Sequence, residues 1–129
     1  MTVGRSTSPT HIKGQYAEEE ALAYLQAQGF ELVAQNYAST LGEIDLIMRQ
    51  RNLLIFVEVR SRSNNTYGGA AASITPSKQR KISRTAESFL QTHPEFAEAD
   101  CRFDVIAFDQ PQAHHHVVAD WIQGAFEAL

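Results

Sequence analysis

Residues 42–60 read GEIDLIMRQRNLLIFVEVR. Ile44, Leu46 and Met48 alternate with Glu43, Asp45 and Ile47, and beyond Arg51-Asn52 the residues Leu53, Ile55, Val57 and Val59 alternate with Leu54, Phe56, Glu58 and Arg60. A period of two on both sides of a short polar break predicts a β-hairpin turning near Arg51-Asn52. A one-residue slip would set one strand's apolar row against the other's mixed row, so packing selects the parity of the register. If Gln50 pairs with Leu53, Asp45 lies opposite Glu58 and Glu43 opposite Arg60, all on one face. Leu54 and Phe56 share that face, which puts the carboxylates at the end of a packed surface. Two carboxylates about 5 Å apart at an effective dielectric of about 20 repel by roughly 3 kcal/mol, and like charges opposite on a sheet destabilise it. Arg60 can neutralise Glu43 across the strands, but Asp45 and Glu58 together still require positive charge.

Upstream, residues 13–29 carry Ala17, Ala21, Tyr24 and Leu25 at helical spacing and stop at Gly29. At 100° per residue Ala17, Ala21, Leu22, Tyr24 and Leu25 share one arc with Glu18 in its middle, while Glu19 and Glu20 fall outside. A carboxylate at a helix start is favoured by the dipole, which is the structural reading of Glu18. Residues 30–37 (FELVAQNY) predict a strand. Downstream, residues 61–74 are rich in Ser, Asn, Gly and Ala and predict a loop over the sheet. Thr75 then serves as N-cap and Pro76 as first-turn residue of a helix with a buried stripe of Ile82, Ala86, Phe89 and Leu90. Residues 102–108 (RFDVIAF) give a further strand, and 117–122 a last short one before a C-terminal helical turn. The order is that of an α/β protein with a mixed central sheet.

At 129 residues, 43% hydrophobic and 20% charged, the chain has the size and composition of one globular domain. The polar segment 1–12 is expected to be a disordered tail, leaving 13–129 as the domain. The tail contains no apolar run able to serve as a signal peptide or span a membrane, so a cytoplasmic protein without a membrane role is expected. The single cysteine, Cys101, excludes an intramolecular disulfide and a cysteine-rich zinc site; it is expected to be a small buried hydrophobe. The net charge of −4 excludes a uniformly basic surface. The charge is nevertheless segregated: no acidic residue lies between Glu58 and Glu87, where Arg60, Arg62, Lys78, Arg80, Lys81 and Arg84 contribute six positive charges. Lys78 falls in a first helical turn, where a cation gains nothing from the dipole.

Two carboxylates on adjacent strands, with a third from a helix, suit a hard divalent cation, most simply Mg²⁺, with Mn²⁺ as a substitute. The carbonyl of Val59 offers a neutral ligand. Such a cation cancels the repulsion between Asp45 and Glu58 and can activate water for attack on a phosphodiester. Arg60 and Lys78 are candidates to stabilise phosphate charge or orient the water. The basic stretch Arg62, Lys78, Arg80, Lys81 and Arg84 would then bind the nucleic-acid backbone, with Tyr67 stacking on a base.

GEIDLI, FVEVR, the segment from Tyr67 to Lys78 and RFDVIAF occur in an order and at spacings that resemble the YraN family of small bacterial proteins. That family is similar to archaeal Holliday-junction resolvases and to the PD-(D/E)XK nucleases. The resemblance implies a restriction-endonuclease-like core. It also implies Asp45 as the motif aspartate, Glu58 as the motif glutamate, Arg60 at the motif lysine position and Glu18 as a helix glutamate that helps hold metal. It implies DNA, branched DNA included, as substrate, and a homodimer, because related resolvases cut two strands. The sequence departs from the motif at Arg60, which stays charged and does not readily exchange a proton; Lys78 is the candidate to supply the amine.

Three readings follow: a Mg²⁺-dependent endonuclease, a catalytically silent nucleic-acid-binding module on the same fold, and a partner-binding protein without a nucleic-acid role. Among weaker features, consecutive His114, His115 and His116 point to alternate sides of an extended segment and predict an exposed loop. Asp104, inside an apolar strand, predicts either a further site residue or a structural pair with Arg102.

Overall fold

The computed structural model describes residues 9–62, 72–109 and 118–128, and for 9–15, 62, 109 and 119 the backbone alone. Helix α1 spans Pro9–Ala27, followed by strands β1 (Glu31–Ser39), β2 (Gly42–Gln50) and β3 (Leu53–Arg62). Helix α2 (Pro76–Thr92) and a 3₁₀ turn (Pro94–Phe96) lead to β4 (Asp100–Asp109) and β5 (Val118–Phe126). α1 starts ahead of the expected Lys13, with Pro9 supplying a first-turn residue that needs no N–H partner.

The five strands form one sheet in the order β1-β2-β3-β4-β5, parallel between β3 and β4 and antiparallel elsewhere. A parallel pair needs a crossover, and α2 provides it. The result is the α-β-β-β-α-β-β order of a restriction-endonuclease-like α/β core. Leu54 and Phe56 of β3 join Phe103 and Val105 of β4 in a cluster with Ile82, Ala86 and Phe89 of α2. The alternating residues Ile55, Val57, Ile106 and Phe108 join Ala21 and Leu25 of α1. The helices therefore cover opposite faces, and the inner strands are apolar on both sides because both sides are buried.

α1 ends in a Schellman motif: Phe30 N–H donates to Leu25 O at 3.1 Å and Gly29 N–H to Gln26 O at 3.0 Å. Gly29 adopts φ 95°, and Leu25 and Phe30 are buried together beneath α1. Thr75 caps α2 as expected, its hydroxyl accepting Lys78 N–H at 3.3 Å. Ile82, Ala86 and Phe89 are buried and Leu90 packs against them.

Two expectations are corrected. β5 continues to Phe126 in place of a C-terminal helical turn. The reason lies in β4, where the fully buried Asp104 accepts Trp121 Nε1–H at 2.9 Å and Gly124 N–H at 3.1 Å. These bonds hold β5 along β4 through a bulge at which the pairing shifts between Phe103 and Val105. Cys101 is exposed and not buried. It stands near the start of β4 and lines an open groove together with Phe56, Ser83, Leu90 and Phe103.

Candidate functional site

β2 pairs with β3 in the expected register, Gln50 opposite Leu53, but the ladder ends at Leu46 opposite Val57. On its other side β2 stays paired with β1 down to Gly42. The two inner strands therefore diverge just short of the level of Asp45 and Glu58. A side chain bridges the opening: Val59 N–H donates to Asp45 Oδ2 at 2.8 Å.

The single apolar row expected along β2 is broken at the same place. Leu46 and Met48 lie beneath α1, whereas Ile44 has crossed to the α2 side with Ile47. Glu43, Asp45, Glu58 and Arg60 consequently do not form one flat row. Glu43 is exposed, and Arg60 turns to Glu58 of its own strand, Nη2 to Oε1 3.7 Å, rather than across to Glu43. Residues two apart on a strand share a face, so this pair forms without help from β2.

Glu58 is 6% exposed, and among the described residues its buried Oε2 has no hydrogen-bond partner, nor does Arg60 Nε. Burial pushes the Glu58 carboxyl up to about 8; the Asp45 charge adds to the rise, while Arg60 and a main-chain hydrogen bond from Asp45 offset some of it. Asp45 is pushed up to about 6, again chiefly by burial, against the opposing pull of the Val59 N–H and Arg60. The site thus holds two carboxyls withdrawn from water, and burial keeps Glu58 protonated at neutral pH.

Glu18 is half-buried on α1 among Ala17, Ala21 and Leu22, on the sheet face opposite to α2. Among the described residues no group of three or more His, Cys, Asp or Glu side chains gathers closely enough to hold a metal ion. The carboxylates brought together are the pair Asp45 and Glu58. Mg²⁺ retains several waters, and a pair of carboxylates is a sufficient protein contribution. The donor chemistry and the unpartnered Glu58 oxygen fit such an ion.

α2 passes close to the start of β2: a methyl group at Gly42 would lie 3.2 Å from Thr85 Oγ1 and 3.5 Å from Lys81 Cβ. Lys78, Arg80, Lys81 and Arg84 are exposed on this helix, whose first turn carries no acidic residue. The Arg62 side chain, Tyr67 and His114–His116 lie outside the described residues. Asp104 takes its structural role: Arg102 donates to it through Nε and Nη2, each at 2.8 Å, and Trp121 and Gly124 complete its shell.

Two features have no place in the sequence reading. The sequence points to the Val59 carbonyl, whereas it is the Val59 N–H that engages Asp45. Asn36, opposite Asp45 on β1, has φ 53°. An Asn in the middle of a strand-like run is the available signal, since Asn tolerates the left-handed region.

Residues 17–108 match the model of the uncharacterised protein family UPF0102. A UPF0102 protein of Psychromonas ingrahamii is 46% identical over 127 residues, covering 98% of this chain and 99% of the relative. One from Alkalilimnicola ehrlichii is 47% identical over 132 residues, covering 99% and 98% respectively. One from Acinetobacter baumannii strain AYE is 46% identical over 123 residues, covering 88% and 92%. With the motif-bearing strands inside the matched span and near-complete coverage on both sides, the chain belongs to the UPF0102 family, the YraN family of the sequence resemblance.

Proposed function

We propose that this protein is a divalent-metal-dependent endonuclease acting on DNA, with Asp45 and Glu58 as the carboxylates that hold Mg²⁺ or Mn²⁺. The observation that carries the reading is the pair itself: a buried Glu58 and a half-buried Asp45 where β2 and β3 diverge, with Glu58 Oε2 unpartnered among the described residues. A fold does not bury two ionisable carboxyls side by side for stability, since ionising both costs more as water is excluded. A divalent cation held there neutralises the pair and activates water for attack on a phosphodiester. The Val59 N–H keeps the Asp45 carboxylate oriented toward β3. Arg60, beside Glu58, presents a permanent positive charge to the anionic phosphate. Lys78, Arg80, Lys81 and Arg84 form an exposed basic ridge on α2 for the nucleic-acid backbone.

The test is a cleavage screen on linear, single-stranded and branched DNA with Mg²⁺ or Mn²⁺, run beside calorimetry of metal binding. Metal-dependent cleavage lost in Asp45→Asn and Glu58→Gln is expected. Intact DNA across the panel, with no metal binding by the wild type, would sink the proposal.

A second reading, a nucleic-acid-binding module without catalysis, is favoured by one feature. Arg60 stands where a proton-exchanging lysine would serve hydrolysis, and its guanidinium already leans on Glu58. Salt-sensitive DNA binding unchanged by Glu58→Gln and by chelation would select it.

A further inference from the structure

β1 and β2 change faces together at one level. Ala34 and Ile47 are partners and both pack on the α2 side; Tyr37 and Ile44 are partners and pack on the α2 side as well. Residues three apart on a regular strand lie on opposite faces, so each strand has taken up one residue that the alternation does not count. Leu46 still faces α1, which leaves Asn36 and Asp45 as the uncounted pair. The register is the same on both sides of them, Gln35 opposite Leu46 and Tyr37 opposite Ile44. Asn36 carries the unusual backbone, φ 53°. This is the left-handed region, reached readily by Gly, tolerated by Asn and Asp, and avoided by β-branched residues. At the same level the β2–β3 ladder ends, and Asp45 reaches the Val59 N–H.

We infer that Asn36 is a positioning residue: its left-handed backbone turns the β1–β2 ribbon at Asp45, taking that side chain out of the face alternation and aiming it across the opening at Val59. That Asp45 is a metal ligand rests on the function proposed above; the geometric role of Asn36 does not. The side chain acts by permitting a conformation, so glycine at this position preserves the site and valine does not.

The experiment compares Asn36→Gly, Asn36→Asp, Asn36→Ala and Asn36→Val with the wild type in metal-free buffer. It reads the Val59 amide resonance and its hydrogen exchange by NMR, then Mg²⁺ affinity by calorimetry. Asn36→Gly and Asn36→Asp are expected to keep the wild-type Val59 signal. Asn36→Val, or Asn36→Ala should the valine variant not fold, is expected to shift it, raise its exchange at least tenfold and weaken Mg²⁺ binding at least tenfold. Wild-type Val59 protection in both Ala and Val variants, or equal loss in Gly and Val, would overturn the inference. A Val59 response without Mg²⁺ binding in any protein, the wild type included, leaves the positioning role standing and fails the metal reading alone.

Discussion

Asp45 Oδ2 accepts the main-chain N–H of Val59 at 2.8 Å, a bond that in the rest of the hairpin runs from backbone to backbone. A carboxylate thus closes the opening between two strands, and the neighbouring Glu58 is left buried beside it, one oxygen unpartnered among the described residues. Burial costs a charged group stability unless it is paired, and Arg60 comes no nearer to Glu58 than 3.7 Å, a loose contact.

The pH dependence follows from the two raised carboxyls. Asp45 titrates near 6 and Glu58 near 8 when folded, against ordinary values of 3.8 and 4.5. Between the ordinary and the folded values the folded protein binds more protons than the unfolded one. The contribution of these groups to stability is therefore full below about pH 4 and is lost as pH rises through 6 and then 8. Thermal melts of the metal-free protein from pH 5 to pH 9 are expected to show this decline, and Glu58→Gln to flatten its upper range. An identical pH profile in Glu58→Gln would refute the assignment.

Metal binding should release protons for the same reason. At pH 7 a cation that requires ionised Glu58 must displace its proton. Calorimetric enthalpies of Mg²⁺ binding are expected to vary with the ionisation enthalpy of the buffer in the wild type.

Removing the Asp104 carboxylate should be among the most damaging changes. Asp104→Ala removes a fully buried carboxylate and leaves Arg102, Trp121 Nε1 and Gly124 N–H without their acceptor, a loss of about 3 kcal/mol. Urea unfolding followed by Trp121 fluorescence measures it, with an altered native emission expected as well.

Gly29→Ala is expected to destabilise by about 1–2 kcal/mol, since φ 95° strains any residue with a Cβ. The added methyl would also come 2.7 Å from Gln50 Nε2, which donates to Gln28 O across the end of α1. Chemical denaturation of Gly29→Ala, alone and with Gln50→Ala, separates strain from crowding.

The basic ridge predicts a salt signature. Each of Lys81→Gln and Arg84→Gln that removes a phosphate contact should reduce the dependence of log affinity on log salt by about 0.9 on duplex DNA. Fluorescence anisotropy across a salt series checks it; slopes equal to the wild type would exclude these residues from the contact.

The order of elements, the hairpin turn at Arg51-Asn52, the parity of its register and the cap at Thr75 were all legible in the residues. Each depends on local periodicity or turn chemistry, which neighbours in sequence carry. The inward arc of α1 with Glu18 was legible for the same reason. The exposure of Cys101 and the length of β5 were not, because both depend on distant partners: the open groove against α2 for the first, the Asp104 network for the second.

The sequence by itself brought Asp45 and Glu58 together, opposite or diagonal, since hairpin parity fixes which side chains share a face and the turn limits the register. Only the tertiary structure decided how they meet. β2 remains bound to β1 while it leaves β3, and the turn at Asn36 swings Asp45 out of the row that strict alternation would give. Alternation is a property of a straight strand, and a left-handed residue in a neighbouring strand breaks it through pairing that no single segment encodes.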